Sequence, residues 1–337
     1  MKISVLVPIF GVENYIERCA NSLFGQTYHN IEYIFVNDCT KDRSIEILSK
    51  VIKKYNYRKN DIKIIDHNEN RGLSAARNTA LEYATGDYIM HVDSDDYIEL
   101  NTIEKCVNEI HKTNADVVLF GFKNIFRNSE LIEYQSISCS REKYICSLLE
   151  RERPACIWGA MYSRALYLNN NIRAIEGVNM GEDYVTKPKL LYYATNIVAI
   201  DESLYNYNRT NELSYTRTFN PRTIIDLTTV MSNLMCFFKG KSDYLLYQES
   251  IVKACLLTKI ILLKYWSQSI AEIDDFNKIN SLFNQEVYIK NLSFNHRIIL
   301  YLANKRLINL LKKYICWGTF LKRCTNIFRY NKYKNSK

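Results

Sequence analysis

The chain has 337 residues with 47% hydrophobic side chains, so it can bury a large core, and its 10 Gly and 4 Pro argue against a β-sandwich, a barrel or a linker-rich chain. Residues 220–337 carry 19 Lys and Arg against 7 Asp and Glu, which leaves residues 1–219 at −3 within a net charge of +9. No run of about 18 apolar residues occurs, and no two of the ten cysteines form a C-x-x-C pair, which excludes a predicted membrane span and favours reduced cytoplasmic thiols over disulfides or zinc.

Short apolar runs and amphipathic stretches alternate over the first 120 residues. Five apolar runs predict buried strands, at 3–7, 31–36, 62–65, 88–92 and 116–120. Helices are predicted between them, and such alternation is typical of βαβ units in an α/β fold with a mostly parallel sheet flanked by helices. Residues 121–218 mix short helices and strands, whereas 219–337 are predicted to form an all-helical C-terminal extension. We therefore expect a boundary near 218.

An acidic cluster, Asp93-Ser94-Asp95-Asp96, directly follows the strand predicted at 88–92. Carboxylates this close repel one another, and a divalent cation relieves the conflict, so the cluster predicts a Mg²⁺ or Mn²⁺ site at the carboxyl edge of the sheet. A solvated acidic loop is the alternative, while Ile98 stands where an EF-hand calcium loop needs glycine. Asp38 ends a neighbouring strand and can accept a hydrogen bond from a base or sugar, or else cap the next helix.

Two further segments point to the same edge. The first loop, Pro8-Ile9-Phe10-Gly11, lacks both the dinucleotide fingerprint and the phosphate loop, but Phe10 can stack on a nucleobase or simply cover the edge. The segment at 70–78 places Arg71 and Arg77 near a predicted helix N-terminus, a position that favours a diphosphate, unless both arginines are only solvated. Glu182-Asp183 opens another predicted helix, where an acid can serve as a base or merely complement the helix dipole.

In this order, V-P-I-F-G-x-E-x-Y, V-N-D-C-T-K-D, N-R-G-L-S-A-A-R-N and D-S-D-D resemble the inverting family-2 glycosyltransferases, which have a GT-A fold. The similarity continues to about residue 215 through Trp158-Gly159, Gly181-Glu182-Asp183 and the segment at 205–214, and it ends before 220. The resemblance implies a nucleotide-sugar donor, expected to be UDP-linked, with Mn²⁺ or Mg²⁺ as cofactor. It also implies a glycan or lipid-linked glycan acceptor in bacterial surface polysaccharide synthesis, such as capsule or O-antigen.

The resemblance also implies a role for individual residues. Donor-binding positions are Pro8, Phe10, Asp38, Asn70, Arg77, Asp93 and Ser94. Asp95 would bind the metal with Asp93, Asp183 would be the catalytic base with Glu182 beside it, and Asp96 would support the cluster. Trp158 and Arg209 would contact the acceptor, although the family's Tyr-Arg is here Tyr207-Asn208. The family's V-D-D-G-S is here V-N-D-C-T, which keeps only the second acid, Asp38.

The C-terminal region predicts a basic amphipathic helix over 300–314, with Leu300, Ala303, Leu307, Leu310, Leu311 and Tyr314 on one face. Such a helix, followed by aromatic and basic residues at 317–329, fits an anionic membrane surface, which would make the protein cytoplasmic and peripheral at the inner face of the cell membrane. The alternative is a helical subdomain with a solvated basic face. No nucleic-acid motif occurs, so we expect no nucleic-acid partner.

Two other functions stay open on the residues alone. A sugar nucleotidyltransferase also uses an α/β half and carboxylate-bound Mg²⁺, but it needs a glycine-rich basic loop that residues 8–11 do not supply. A membrane- or polyanion-binding protein with a degenerate site is the non-enzyme alternative. The joint presence of Asp38, Asp93, Asp95 and Asp183 argues against it.

Overall fold

The computed structural model of the protein describes residues 1–211, 222–265, 289–290 and 292–317. These residues divide into a first unit, Met1–Ser242, and a second unit, Asp243–Lys337. Within the described residues, the strands of the first unit form one sheet of nine strands. Eight of them follow one another across the sheet in the order 62–66, 31–37, 3–9, 88–91, 160–163, 117–125, 197–208 and 97–98, and the strand at 130–133 pairs with the one at 117–125.

The N-terminal strands are parallel and follow the predicted apolar runs. They are β1 (Ile3–Ile9), β2 (Ile31–Asn37), β3 (Ile62–Asp66) and β4 (Tyr88–His91). All seven residues of β1 are buried, because a central parallel strand is covered on both faces. Ile9 lies opposite Asn37, so the chain leaves β1 and β2 at the same edge. That register brings the segments after β1, β2 and β4 to one side of the sheet.

The second half of the sheet is mixed. Its strands are β5 (Tyr97–Ile98), β6 (Val117–Ile125), β7 (Glu130–Glu133), β8 (Ala160–Ser163) and β9 (Ile197–Asn208). The pairs β4–β8, β8–β6, β6–β7 and β5–β9 are antiparallel, while β6–β9 is parallel. The α/β class is confirmed, but the expectation of a mostly parallel sheet holds only for the first half. The short connection from β6 to β7 permits only an antiparallel hairpin.

Helices flank this sheet. They are α1 (Ile16–Phe24), α2 (Ser44–Lys54), α3 (Leu73–Tyr83), α4 (Thr102–Thr113), α5 (Arg141–Leu149), α6 (Arg164–Asn169), α7 (Glu182–Tyr193) and α8 (Arg222–Lys239). Helix α3 packs on β1 and β2, and α1 packs on α2 and β5. Helix α3 begins after Gly72, and the Ser74 hydroxyl in its first turn donates a hydrogen bond to the Val178 carbonyl.

Helix α8 belongs to the first unit, which differs from the domain boundary expected near 218. That position lies in residues 212–221, outside the described residues, and the division falls after Ser242. Leu227 and Val230 of α8 pack against Gly181 at the start of α7. The buried Asp226 carboxylate accepts hydrogen bonds from the Asn179 and Met180 amides. These contacts join α8 to the unit that carries the predicted site.

The second unit contains a 3₁₀ turn at Tyr244–Leu246, then α9 (Gln248–Tyr265), α10 (Phe294–Asn304) and helical residues 308–317. The single helix predicted over 300–314 is wrong, because the chain turns at Arg306, which has a φ of 56°. Leu300 and Leu311 lie in a core with α9, whereas Leu307 and Leu310 are exposed. The aromatic and basic residues expected beyond 317 lie outside the described residues. Within the described part, every helix is too short or too polar to cross a bilayer.

Candidate active site

A cleft of about 850 Å³ opens where the segments after β1, β2 and β4 meet the start of α7. Nearly all the predicted site residues line it. They are Pro8, Phe10, Asp38, Asn70, Arg77, Asp93, Ser94, Asp95, Trp158, Glu182 and Asp183. This location is the carboxyl edge of the parallel half of the sheet, where open α/β sheets bind ligands.

The first loop presents an aromatic ring to the cleft. The Phe10 side chain is 54% exposed directly after β1, and Gly11 follows with a φ of 66°. Two hydrogen bonds fix the loop to the segment that follows β2: the Gly11 amide donates to the Thr40 hydroxyl, and the Glu13 amide donates to the Asp42 carboxylate. The ring therefore stands on an ordered support with an open face, as stacking on a planar ligand requires.

Asp38 lies in the cleft wall, but its carboxylate is already engaged. One oxygen accepts from the Arg71 amide and pairs with His67, and the other accepts from the Gly72 amide, at 2.7–2.8 Å. Gly72 has a φ of 86°, and a Cβ there would lie 2.5 Å from the Asn179 side chain. The structure thus shows that Asp38 shapes the turn at 70–72 and does not cap the next helix, which begins at Ser44. Its contact with a donor stays a prediction.

Asn70 and Ser94 both line the cleft, but Asn70 is exposed to solvent and Ser94 is buried. Asn70 is exposed just before the turn that Asp38 holds, and its amide is open to a ligand. Ser94 is only 5% exposed between the two aspartates of the acidic cluster. The structure brings both predicted donor-binding residues to the cleft, and their contact with a donor stays a prediction.

Arg77 gathers three acids from two distant parts of the chain. Its guanidinium is 5% exposed and donates to Asp93 Oδ1 at 2.9 Å, to Glu182 Oε1 at 3.0 Å and to the Asp183 carboxylate. Charge-assisted bonds of this kind are the strong ones. Arg77 therefore fixes Asp93, which follows β4, against the two acids at the start of α7, and its predicted contact with the donor stays a prediction.

The pKa values of the two acids at the start of α7 are both raised. Burial, and then the charge of Asp183, raises the pKa of Glu182 to about 8. Burial also raises the pKa of Asp183, while the charge of Arg77 opposes that rise. Asp183 Oδ2 additionally accepts the Ile157 amide at 3.0 Å. A proton on Glu182 relieves the repulsion within the pair, while the Arg77 charge and the Ile157 amide both favour the ionised form of Asp183.

Asp93 and Asp95 form the predicted metal corner. Burial, and then the charge of Asp93, raises the pKa of Asp95 to about 6, and Asn211 donates to Asp95 at 2.8 Å. Two crowded carboxylates are a donor set that suits Mg²⁺ or Mn²⁺, which take their other ligands from water and phosphates. Among the described residues no cluster of three or more His, Cys, Asp or Glu side chains could hold a metal ion. Asp96 is confirmed as a support, because it is fully buried and accepts from the Tyr205 hydroxyl and the Asn208 amide.

Aromatic rings form the far side of the cleft. Trp158 stacks on Tyr205 with ring centroids 4.5 Å apart and an interplanar angle of 11°, and Tyr207 lies 4.8 Å from the same indole. Arg209, predicted to contact the acceptor, is absent from the residues that line the cleft. Its guanidinium lies 4.9 Å from the Tyr207 ring, on which it packs. Tyr207 takes the lining position instead.

Several cleft residues have no counterpart among the predictions. They are Arg151, Asn179, Met180, Tyr184, Tyr207 and Asn211. Asn179 and Met180 directly precede the Gly-Glu-Asp motif, so their place in the cleft could have been predicted from their closeness to Asp183 in the sequence. Arg151 sits in a loop with no motif of its own, and nothing in the sequence pattern marks it.

The sequence is similar to those of known glycosyltransferases. Residues 4–171 match the family model described as Glycosyl transferase family 2. The glycosyltransferase GlyG of Streptococcus pneumoniae serotype 4 is 30% identical over 258 residues, covering 72% of this chain and 81% of GlyG. GlyA of the same organism is 32% identical over 244 residues, and EpsJ of Bacillus subtilis, an uncharacterized glycosyltransferase, is 32% identical over 225 residues. These matches cover 68% and 63% of this chain, but only 34% of GlyA and 64% of EpsJ.

Solved structures share the fold. The crystal structure of Staphylococcus aureus TarS 1-349 in complex with UDP-GlcNAc superposes with a TM-score of 0.70 at 21% identity, covering 94% of this chain and 90% of that one. The crystal structure of TarS 1-349 in complex with UDP gives a TM-score of 0.69 over the same shares. The α/β sheet with its flanking helices is therefore the fold of a known group of structures.

Proposed function

This chain belongs to glycosyltransferase family 2, and on that premise we propose that it transfers a sugar from a UDP-linked nucleotide-sugar to a hydroxyl group of a glycan or lipid-linked glycan, with inversion. The observation that carries the proposal is that Arg77 joins Asp93 to Asp183 in one cleft, which Asp95 also lines. TarS 1-349, which has the same fold, binds UDP and UDP-GlcNAc, which supports a UDP-linked donor.

The donor would occupy the side of the cleft next to β1. Phe10 offers an exposed ring for the base, and Asn70 and the turn at 70–72 lie beside it. The diphosphate would then approach Asp93 and Asp95, which would hold Mn²⁺ or Mg²⁺. A cation bound there would offset the negative charge that develops on the departing diphosphate.

The chain's own residues supply the proton transfer. Asp183 would accept the proton of the acceptor hydroxyl, and a base on the face opposite the leaving group gives inversion in a single displacement. Arg77 and the Ile157 amide hold the Asp183 carboxylate in place. The raised pKa of Glu182, about 8, disfavours a second buried negative charge beside it. Trp158 and Tyr207 form the wall on which an acceptor sugar ring can lie.

The acceptor and the biological setting belong to the same proposal. The name of TarS is poly(ribitol-phosphate) beta-N-acetylglucosaminyltransferase, and TarS of Staphylococcus aureus is 29% identical to this chain over 209 residues, covering 61% of this chain and 35% of TarS. That similarity supports an N-acetylhexosaminyl donor. We propose an N-acetylhexosaminyl or hexosyl donor and a role in surface polysaccharide synthesis, such as capsule or O-antigen.

We further propose that the second unit lies on the anionic inner face of the cell membrane, which would make the protein cytoplasmic and peripheral. On α10, Phe294, Arg297 and Tyr301 share one exposed face. The same spacing recurs at Leu310, Lys313 and Trp317. Exposed aromatic and basic side chains on one face are what an anionic bilayer surface attracts.

Flotation with anionic and neutral vesicles tests the membrane proposal. Phe294→Ala/Tyr301→Ala/Trp317→Ala in the full chain should reduce binding to phosphatidylglycerol vesicles by about tenfold, because buried aromatic area drives insertion. Tyr57→Ala removes an equally exposed ring, 69% accessible, from the first unit and should leave binding unchanged. Equal flotation of the triple variant and the wild type would reject the proposal.

A donor screen tests the transferase itself. The full chain is incubated with UDP-, GDP- and TDP-linked sugars with and without MnCl₂, and nucleoside diphosphate release is measured. Release from UDP-linked sugars alone, and only with the cation, is the expected result. Release from none of the donors, together with no thermal stabilisation by UDP, would reject the proposed function.

A further inference from the structure

Lys187 is a fully buried lysine one helical turn after Asp183 on α7. Its ammonium donates to the Gln135 side-chain oxygen at 3.1 Å and to the Pro154 carbonyl at 3.2 Å. Burial lowers the pKa of this lysine, while the negative charge of Asp183 opposes the shift. Burying a cation costs free energy, and the Gln135 and Pro154 oxygens offset part of that cost only while they stay in place around the ammonium.

Gln135 extends the contact to the sheet and to a loop. Its side chain is 2% exposed, and its amide nitrogen donates to the Phe120 carbonyl of β6 at 2.8 Å and to the Gly159 carbonyl at 2.9 Å. Gly159 has a φ of 72°, and a Cβ there would come within 3.1 Å of that nitrogen. Lys187 and Gln135 therefore bind both ends of the loop 154–159, at Pro154 and at Gly159.

That loop is part of the proposed active site. Ala155, Cys156 and Trp158 line the cleft, and the Ile157 amide donates to Asp183 Oδ2 at 3.0 Å. The loop and α7 are thus joined twice, once through the carboxylate that would act as the base and once through the buried ammonium. If the ends of the loop move, the Ile157 amide moves with them, and the Asp183 carboxylate loses a donor that fixes its orientation.

We propose that Lys187 and Gln135 are positioning residues of the transfer site, which anchor the loop 154–159 so that the Ile157 amide orients the Asp183 carboxylate. The kinetic consequence rests on the proposed function, whereas the anchoring of the loop does not. The charge of Lys187 acts in the same direction. The groups that face Asp183 are Arg77, Asp93, Glu182 and Lys187, and the positive charge of Lys187 helps to hold Asp183 ionised.

Lys187→Met removes the ammonium and keeps a side chain of similar length. Lys189→Met is the matched control, because Lys189 lies on the same helix, is largely buried and bonds Asn233 instead of the loop. Gln135→Met is the second variant, which removes the hydrogen bonds of Gln135 to Lys187, Phe120 and Gly159 without removing a charge. If Lys187→Met does not fold, Gln135→Met alone decides whether the loop is anchored. All are made in the full chain.

Two measurements are compared across these variants. Hydrogen–deuterium exchange of peptides covering 154–159 should become about tenfold faster in Lys187→Met and Gln135→Met and stay unchanged in Lys189→Met. With UDP-GlcNAc as donor and water as acceptor, kcat should fall by about tenfold or more in the first two, with KM and the Kd of UDP within about twofold. A merely structural role would slow Lys189→Met to the same degree.

Unchanged exchange of the loop in Gln135→Met, or in a folded Lys187→Met, would overturn the anchoring. Faster exchange with an unchanged kcat would overturn the positioning role. A wild-type chain that hydrolyses no nucleotide-sugar would instead refute the proposed function, while the exchange measurement would still decide whether the loop is anchored as proposed.

Discussion

Asp183→Asn against Glu182→Gln is the sharpest test of which acid accepts the proton. The two side chains are neighbours at the start of α7 and share the Arg77 guanidinium, so each neutral isostere disturbs the same cluster. They differ in the charges around them. Burial raises the pKa of Glu182 to about 8, so this side chain is mostly neutral near pH 7, whereas the charge of Arg77 opposes the rise that burial causes in the pKa of Asp183 and favours its ionised form.

From this difference we expect unequal losses. Asp183→Asn removes the proton acceptor and should lower kcat for UDP-GlcNAc turnover by about 10²–10⁴-fold, the usual worth of a positioned general base. Glu182→Gln replaces a group that is already mostly neutral and should lower kcat by less than about tenfold. UDP release is measured near neutral pH with MnCl₂, after thermal unfolding has established that both variants fold.

The reverse order would refute this assignment. If Glu182→Gln lost as much activity as Asp183→Asn, or more, Glu182 would carry the negative charge and act as the base. If neither variant lost activity, the cluster around Arg77 would be structural and the base would lie elsewhere in the cleft.

Three other outcomes are expected. The pKa of Glu182 is about 8 in the folded chain, compared with an ordinary value of 4.5. Between these two values the folded chain keeps a proton that the unfolded chain releases, so the stability of the wild type falls as the pH rises. The melting temperature of Glu182→Gln should therefore fall less than that of the wild type between pH 6 and 8. Removing divalent cations with EDTA should abolish UDP-GlcNAc turnover, and excess MnCl₂ should restore it, as measured by UDP release. Asp38→Ala should leave the Arg71 and Gly72 amides without their acceptor and cost about 1–3 kcal/mol in the free energy of unfolding by urea. An equally stable Asp38→Ala would show that the turn does not depend on this carboxylate.

The parallel half of the fold and most of the cleft could be predicted from the sequence. Apolar runs such as 3–7 and 31–36 are both strand-forming and buried, and parallel strands bring their carboxyl ends to one edge, so Asp38, Asp93 and Phe10 had to lie near one another. The position of the base was predictable only through the family motif, since Glu182-Asp183 alone is also an ordinary helix start.

The rest depends on tertiary contacts that no local pattern encodes. Arg77 reads as a ligand-binding arginine until the fold brings Asp183, 106 residues later, within hydrogen-bond distance. Lys187 looks like a surface residue of a helix, because only the fold places Gln135 and Pro154 around its ammonium. The placement of Arg209 in the cleft could not be judged from the sequence either. Its backbone lies next to the cleft-lining residue Tyr207, but its guanidinium packs on the Tyr207 ring.

Long-range packing also explains why the structure differs from the boundary expected near 218. The segment that forms α8 was expected to be helical, but the residues on which it packs, at the start of α7, lie more than 40 residues earlier in the chain. At Arg306 a non-glycine residue adopts a left-handed conformation, which the periodicity of the flanking leucines does not reveal.

Calorimetric titration of UDP into the wild type, Asp95→Ala and Asp183→Asn, with and without MnCl₂, tests the central division of the cleft most directly. We expect Mn²⁺ to strengthen UDP binding to the wild type and to Asp183→Asn alike, whereas Asp95→Ala loses this gain. Equal Mn²⁺ dependence in all three proteins, or its loss in Asp183→Asn, would contradict the assignment of Asp95 to the metal and Asp183 to the proton.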